Sequence, residues 1–319
     1  MILSETSNIH QSKLDELEVI QIRNRICAII IIASKCNQPV TYGEIALMLP
    51  STREAINTEE FIKSDPSTLK QITVQNGFIV LKGYEQLFQV RAHNKQVSIE
   101  KMQTAKVFAD YLLNGKSYLK ILAVCGSVAY GSADEDDDID LFIVAEKDRM
   151  WIAFARALIR ARIMNTTGLL LGKHVDFCLS YVQDEKNFEK EISDRKNLLF
   201  AREFLSVKLL RGQEYYYALL DKAGWIRECL PALYRLKQLK NNESASPDEA
   251  YSSSTLLSIV NMVMYVSLGS YLTFKAFLRN LTFRKNGELS EVFEAKISKG
   301  SCLYNSKRYQ ELERIYSLM

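Results

Sequence analysis

Residues 126–144, GSVAYGSADEDDDIDLFIV, constrain this chain more than any other segment. An apolar run at 121–125 stops at Gly126-Ser127. Twelve residues past the glycine comes Asp138-Ile139-Asp140, and a second apolar run, 141–144, follows. Short apolar runs bounded by turn residues read as strands, so these two end and begin at one edge of a sheet. Alternate residues of a strand share a face. Asp138 and Asp140 therefore leave one face together, while Ile139 and Leu141 turn toward a core. Two carboxylates so placed repel by roughly 4 kcal/mol at about 4 Å in a moderately polar site. A hard divalent cation relieves that repulsion, and Mg²⁺ held by one or two carboxylates keeps positions open for phosphates. The Gly-Ser turn offers such phosphates a backbone without a Cβ, N–H groups and a hydroxyl.

A third acid fits the same pattern. His174-Val175-Asp176-Phe177-Cys178-Leu179 is another short strand-like run, with one carboxylate among apolar neighbours. Paired beside the Asp138/Asp140 strand, Asp176 would complete a triad that holds metal and draws a proton from an acceptor hydroxyl. The connecting stretch, 148–164, reads as a helix, with Ile152, Ala155, Leu158, Ile159 and Arg162 at helical intervals. Taken singly, an acidic run is a solvated loop and a Gly-Ser pair is a turn. Their joint order and spacing between two strands is what carries the argument.

This constellation resembles the DNA polymerase beta-like nucleotidyltransferase superfamily, in its minimal, single-sheet form. The family signature is an apolar residue and Gly-Ser, a spacer, Asp-apolar-Asp-apolar, and a third acid on a later strand. Here Cys125-Gly126-Ser127, the spacer 128–137, Asp138-Ile139-Asp140-Leu141 and Asp176 fill those places, within residues 117–181. The resemblance implies an α/β fold, a mixed sheet with helices. It implies that Gly126 and Ser127 grip a nucleoside triphosphate, such as ATP. Asp138 and Asp140 would hold Mg²⁺ or Mn²⁺, with Asp176 as further ligand or base. The implied reaction moves a nucleoside monophosphate to an acceptor hydroxyl and releases pyrophosphate. RNA (a tRNA 3′ end, for example), a small molecule and a protein side chain all stay open as acceptor. The competing reading is a winged-helix regulator that binds nucleotide on the same scaffold without turning it over.

The 319 residues, 47% hydrophobic and 25% charged, suffice for two or three domains, and a net charge of +3 advertises no strong attraction to nucleic acid. Six scattered cysteines without a Cys-x-x-Cys pair read as reduced core thiols, in keeping with a cytoplasmic protein. His10, His93 and His174 do not cluster; His174 would share the strand face of Asp176. The first eighteen residues are polar, so no secretory leader is expected there.

Residues 1–98 read as a separate winged-helix-like unit. A helix is expected over 14–36. Thr41 with Glu44 forms a capping box for a helix that stops at Pro50, and a charged helix is expected at 53–63. Asp65-Pro66-Ser67 opens a further helix through about Val74, the recognition-helix candidate. Asn76-Gly77 marks a turn, and 78–81 and 87–90 read as a hairpin across 82–85. Lys70, Lys82, Arg91 and Lys95 would be its nucleic-acid contacts. One base-reaching cation on the helix is thin for groove reading, so packing, acceptor positioning or dimerisation is the preferred duty.

The catalytic domain is expected at 99–182 and a helical C-terminal domain at 183–319. Within the latter, 194–211 reads as a helix closed by Gly212, Tyr215-Tyr216-Tyr217 as part of an aromatic core layer, and 240–253 as a linker. Residues 254–274 carry no charge and are long enough to cross a membrane, but Ser, Thr, Asn and Gly dilute them. A buried helix is expected there, with no membrane contact. Beyond it, the basic residues from Arg279 to Arg308 read as lying on solvated helices.

Overall fold

The computed structural model describes residues 16–49, 57–170, 176–239, 254–289 and 291–317. Two sheets organise it. The smaller holds β1 (Val40–Thr41), β2 (Ile72–Gln75) and β3 (Phe78–Leu81) in the antiparallel order β1-β3-β2. The helix Glu16–Lys35 buries Ile22, Ile26, Ile29 and Ile30 against Val40, Ile45, Ile62 and Ile79. The capping box forms as read: the Thr41 hydroxyl accepts from Glu44 N–H, and the Glu44 carboxylate takes Thr41 N–H. Pro50, the expected stop, and residues 51–56 lie outside the described residues.

The hairpin of this unit sits one element earlier than the sequence pattern suggested. The helix begun at Asp65 lasts only from Pro66 to Leu69, and Ile72-Thr73-Val74 is strand. Three β-branched residues in a row favour the pleat over the helix. Asn76 and Gly77 then take φ of 51° and 80°, the two-residue primed turn that matches strand twist. Residues 87–90 are not a strand but the first turn of a long helix, Leu87–Leu113. The Glu85 carboxylate accepts Gly83 N–H and the Thr73 hydroxyl, which closes the intervening turn.

The larger sheet contains β4 (Leu119–Val124), β5 (Ile139–Ala145), β6 (Phe177–Asp184), β7 (Lys208–Arg211), β8 (Phe293–Ser298) and β9 (Ser301–Ser306). Their order is β7-β4-β5-β6-β9-β8, with β5 and β6 parallel and the other neighbours antiparallel. A parallel pair needs a crossover, supplied by the helix Met150–Leu170. Alternation along β5 divides the core. Ile139, Leu141 and Ile143 join Phe108, Trp151 and Phe154 on one face; Phe142 and Val144 join Phe188, Phe204 and Tyr216 on the other.

The described residues from 183 onward are largely helical, yet they give β7, β8 and β9 to this sheet. The helix expected over 194–211 runs from Leu198 to Ser206, after which Lys208–Arg211 pairs along β4. Gly212 permits it. Its φ is +82°, and a Cβ there would lie 1.8 Å from the Lys120 carbonyl oxygen. The basic stretch read as helical folds back at 293–306 as the hairpin β8–β9. The linker expected at 240–253 lies outside the described residues.

The largest departure concerns the uncharged segment. It belongs to one helix, Thr255–Asn286, of which only 11% of the most apolar window is buried. A single π turn, Tyr265–Gly269, interrupts it. The side that meets the domain is small and polar. Asn261 accepts from Trp151 N–H and Ile152 N–H, Gly269 passes Trp151 closely, Ala276 is buried, and Asn280 bonds both backbone polar groups of Phe293. The apolar residues face outward, so the expectation of a buried helix is overturned. The interior position was taken by side chains that satisfy neighbouring backbone groups.

Candidate active site

β4 and β5 lie side by side, and Cys125 N–H bonds the Asp140 carbonyl at 2.9 Å, closing the strand ends onto each other. The chain then turns at Gly126 with φ of +66°, and a Cβ there would stand 2.3 Å from Asp140 Oδ2. No other residue combines that backbone angle with so close a carboxylate. Ser127 follows in a short helical turn, Gly126–Tyr130, whose end is fixed by Gly131 in the left-handed region and by Ser132 N–H on Ser127 O. The turn read as a phosphate grip is thus pressed against one member of the acid pair.

Asp140 is largely enclosed. Burial lifts its carboxyl to about 6; a hydrogen bond with the Cys178 thiol works against this, while Asp138, Asp137 and Glu203 add to it. Cys178 stands directly across the parallel ladder from Asp140. Its thiol is pushed up to about 12 by burial and by that carboxylate. Asp138 sits at the rim, its pKa raised by partial desolvation and then by Asp176. Asp176 borders β6, where its carbonyl accepts Ile139 N–H at 2.8 Å, and its carboxylate accepts from Asn165 Nδ2 on the crossover helix. The structure therefore brings Gly126, Ser127, Asp138, Asp140 and Asp176 to one end of the sheet, as the spacing demanded. His174 lies outside the described residues.

Whether this end suits a divalent cation can be judged from the donors. Asp138 raises the pKa of Asp140 on the same strand face, and a cation between them would oppose that effect. The pair fits such an ion. Among the described residues no group of three His, Cys, Asp or Glu side chains is arranged to hold one; the Asp176 carboxylate, which accepts from Asn165, lies near Asp138.

Three further residues act on the site that sequence reasoning missed or placed elsewhere. Lys101, on the Leu87–Leu113 helix, donates to the carbonyls of Glu135, at 2.8 Å, and Asp137, so it holds the acidic loop. Glu203 accepts the Tyr130 hydroxyl at 2.7 Å and bears on Asp140. Arg279, read as a solvated cation, lowers the pKa of Asp138. None has a local signal, because each is brought in by packing from a distant stretch. Conversely, Arg91 is withdrawn from the nucleic-acid set: it pairs with Glu44 at 2.9 Å and covers the Phe78 ring. Tyr216 and Tyr217 are core residues, as expected of the aromatic layer.

A family model of the nucleotidyltransferase domain matches residues 113–205. No curated protein and no solved structure shows significant similarity to the chain. The nucleotidyltransferase domain so defined begins at the end of the Leu87–Leu113 helix and closes within the Leu198–Ser206 helix. It contains the Gly-Ser turn and all three acids, and it also takes in Glu203.

Proposed function

We propose that this protein transfers a nucleoside monophosphate from a nucleoside triphosphate to an acceptor hydroxyl. The acceptor oxygen bonds the α-phosphorus, the bond from that phosphorus to the β-phosphate oxygen breaks, and pyrophosphate leaves. Gly126 and Ser127 hold the triphosphate through backbone N–H groups and the hydroxyl. Asp138 and Asp140 stand where a Mg²⁺ ion, when bound, would acidify the acceptor hydroxyl and offset charge on the leaving group. Asp176, beside Asp138, takes the acceptor's proton or completes the cation's ligands. The observation that carries this reading is the Gly126 backbone packed against the Asp140 carboxylate at the open end of β4 and β5.

The order helix, strand, helices and hairpin at the N-terminus supports a winged-helix unit. With Arg91 internally paired, we read it as a packing and acceptor-positioning module rather than a groove reader. The test is pyrophosphate release with each of the four nucleoside triphosphates and Mg²⁺, with and without total RNA. Wild type should release pyrophosphate; Asp138→Ala/Asp140→Ala should lose at least about a thousandfold while staying folded by circular dichroism. Undiminished release by that variant removes the proposal. Nucleotide binding without release under any condition favours the non-catalytic regulator.

A further inference from the structure

The helix Thr255–Asn286 leaves ten large apolar side chains exposed. The outward stripe is Leu256, Ile259 and Val263 before the π turn, Val266 within it, and Phe274 and Leu278 after it, these six being 46–69% exposed. The π turn adds one residue to the period. That extra residue keeps Asn261, Gly269, Ala276 and Asn280 in line on the domain side, and keeps the apolar stripe in line on the opposite side. At roughly 100 Å² per side chain, the exposed face amounts to about 1000 Å², well above the largest patch of an ordinary monomer.

Charge decides what covers it. The helix carries Lys275, Arg279, Arg284 and Lys285 and no Asp or Glu, and the neighbouring Met150–Leu170 helix has no acid either. That neighbour also exposes Leu158, Ile159 and Ile163. A second copy of the chain on this face would desolvate cations without offering an acid from the same helix. A crossing of the bilayer would need a helix free of the domain over about 30 Å. Here Arg149 bonds the Ser254 carbonyl at 2.9 Å near one end, and Asn280 bonds Phe293 near the other, so the helix lies flat. An apolar stripe with cations and no acids suits an anionic lipid surface.

We propose that the Thr255–Asn286 face docks this protein on an anionic membrane surface, with the apolar stripe in the headgroup–acyl boundary and Lys275, Arg284 and Lys285 on lipid phosphates. This runs against the sequence-based expectation of no membrane contact. The experiment is flotation of the full chain with phosphatidylglycerol–phosphatidylcholine vesicles and with phosphatidylcholine vesicles. Wild type should float with the anionic vesicles and weaken in high salt. Val263→Asp/Phe274→Asp, both outward residues, should stay folded by circular dichroism and stop floating. Lys275→Gln/Arg284→Gln/Lys285→Gln should bind on the order of a hundredfold more weakly. Three results overturn the proposal. One is no flotation with either vesicle. Another is equal flotation with both and indifference to the triple variant. The third is a dimer in light scattering that Val263→Asp/Phe274→Asp converts to a monomer, without vesicle binding by either form.

Discussion

At Asp140 the enclosure that aligns the carboxylate with Gly126 also lifts its pKa to about 6, from an ordinary value of 3.8. Between those values the folded protein keeps a proton that the unfolded chain has released. The metal-free protein therefore loses stability as pH rises through this window and does not recover it above about 6. Asp140→Asn keeps the shape and removes the charge. At pH 7.5 it should stabilise the metal-free protein by about 2–3 kcal/mol while abolishing transfer. At pH 4.5 most of that difference should vanish. Urea denaturation of both proteins at the two pH values checks this, and an equal gap at both would show that charge is not the cause. The acid pair itself was readable because strand alternation is local. Cys178 and Glu203, which set the environment of Asp140, were not, because register and helix packing bring them there.

The elements that the pattern misplaced share one feature: a short apolar run whose period does not choose between helix and strand. Leu87-Phe88-Gln89-Val90 could alternate or coil, and Leu209-Leu210 could end a helix or start an edge strand. Tertiary pairing decided both, through the long helix at 87–113 and the ladder with β4. By contrast, the strand that carries the acid pair was legible, because turn chemistry and acids bound it on one side. The Thr255–Asn286 helix inverted expectation for another reason: composition measures apolarity but not which side finds a partner. Its fully buried Asn261 holds the helix through two N–H groups at the start of Met150–Leu170. Asn261→Ala would leave those donors unpaired and should cost about 2–3 kcal/mol, read by chemical denaturation. A change below about half a kcal/mol would mean that water replaces the amide.

Among the described residues, the helix Lys307–Tyr316 packs between the N-terminal unit and a helix behind the larger sheet, a link no sequence motif announced. Tyr316 is buried between Ile32 of the first helix and Leu199 of the helix behind the sheet. Its ring also faces the Arg202 guanidinium at 5.8 Å, and Arg202 covers Tyr130, whose hydroxyl reaches Glu203. One side chain thus ties the N-terminal helix to the end of the turn that begins at Gly126. Arg195, paired with Glu191 and Glu313 at 2.9 Å each, braces the same helix. With these links intact, the described units should unfold together. Tyr316→Ala opens a cavity at the junction and removes a ring from each partner, which should cost about 3–4 kcal/mol. Because the loss falls between two cores that each keep their own apolar cluster, it should also split the unfolding. Calorimetry is expected to give one transition for wild type and two for Tyr316→Ala, with the earlier one matched by cleavage in the N-terminal unit. Transfer should fall in the same variant, since Arg202, which covers Tyr130, would lose its contact with the Tyr316 ring. A single transition merely shifted downward would mean that other contacts suffice to couple the units, and that Tyr316 contributes packing alone.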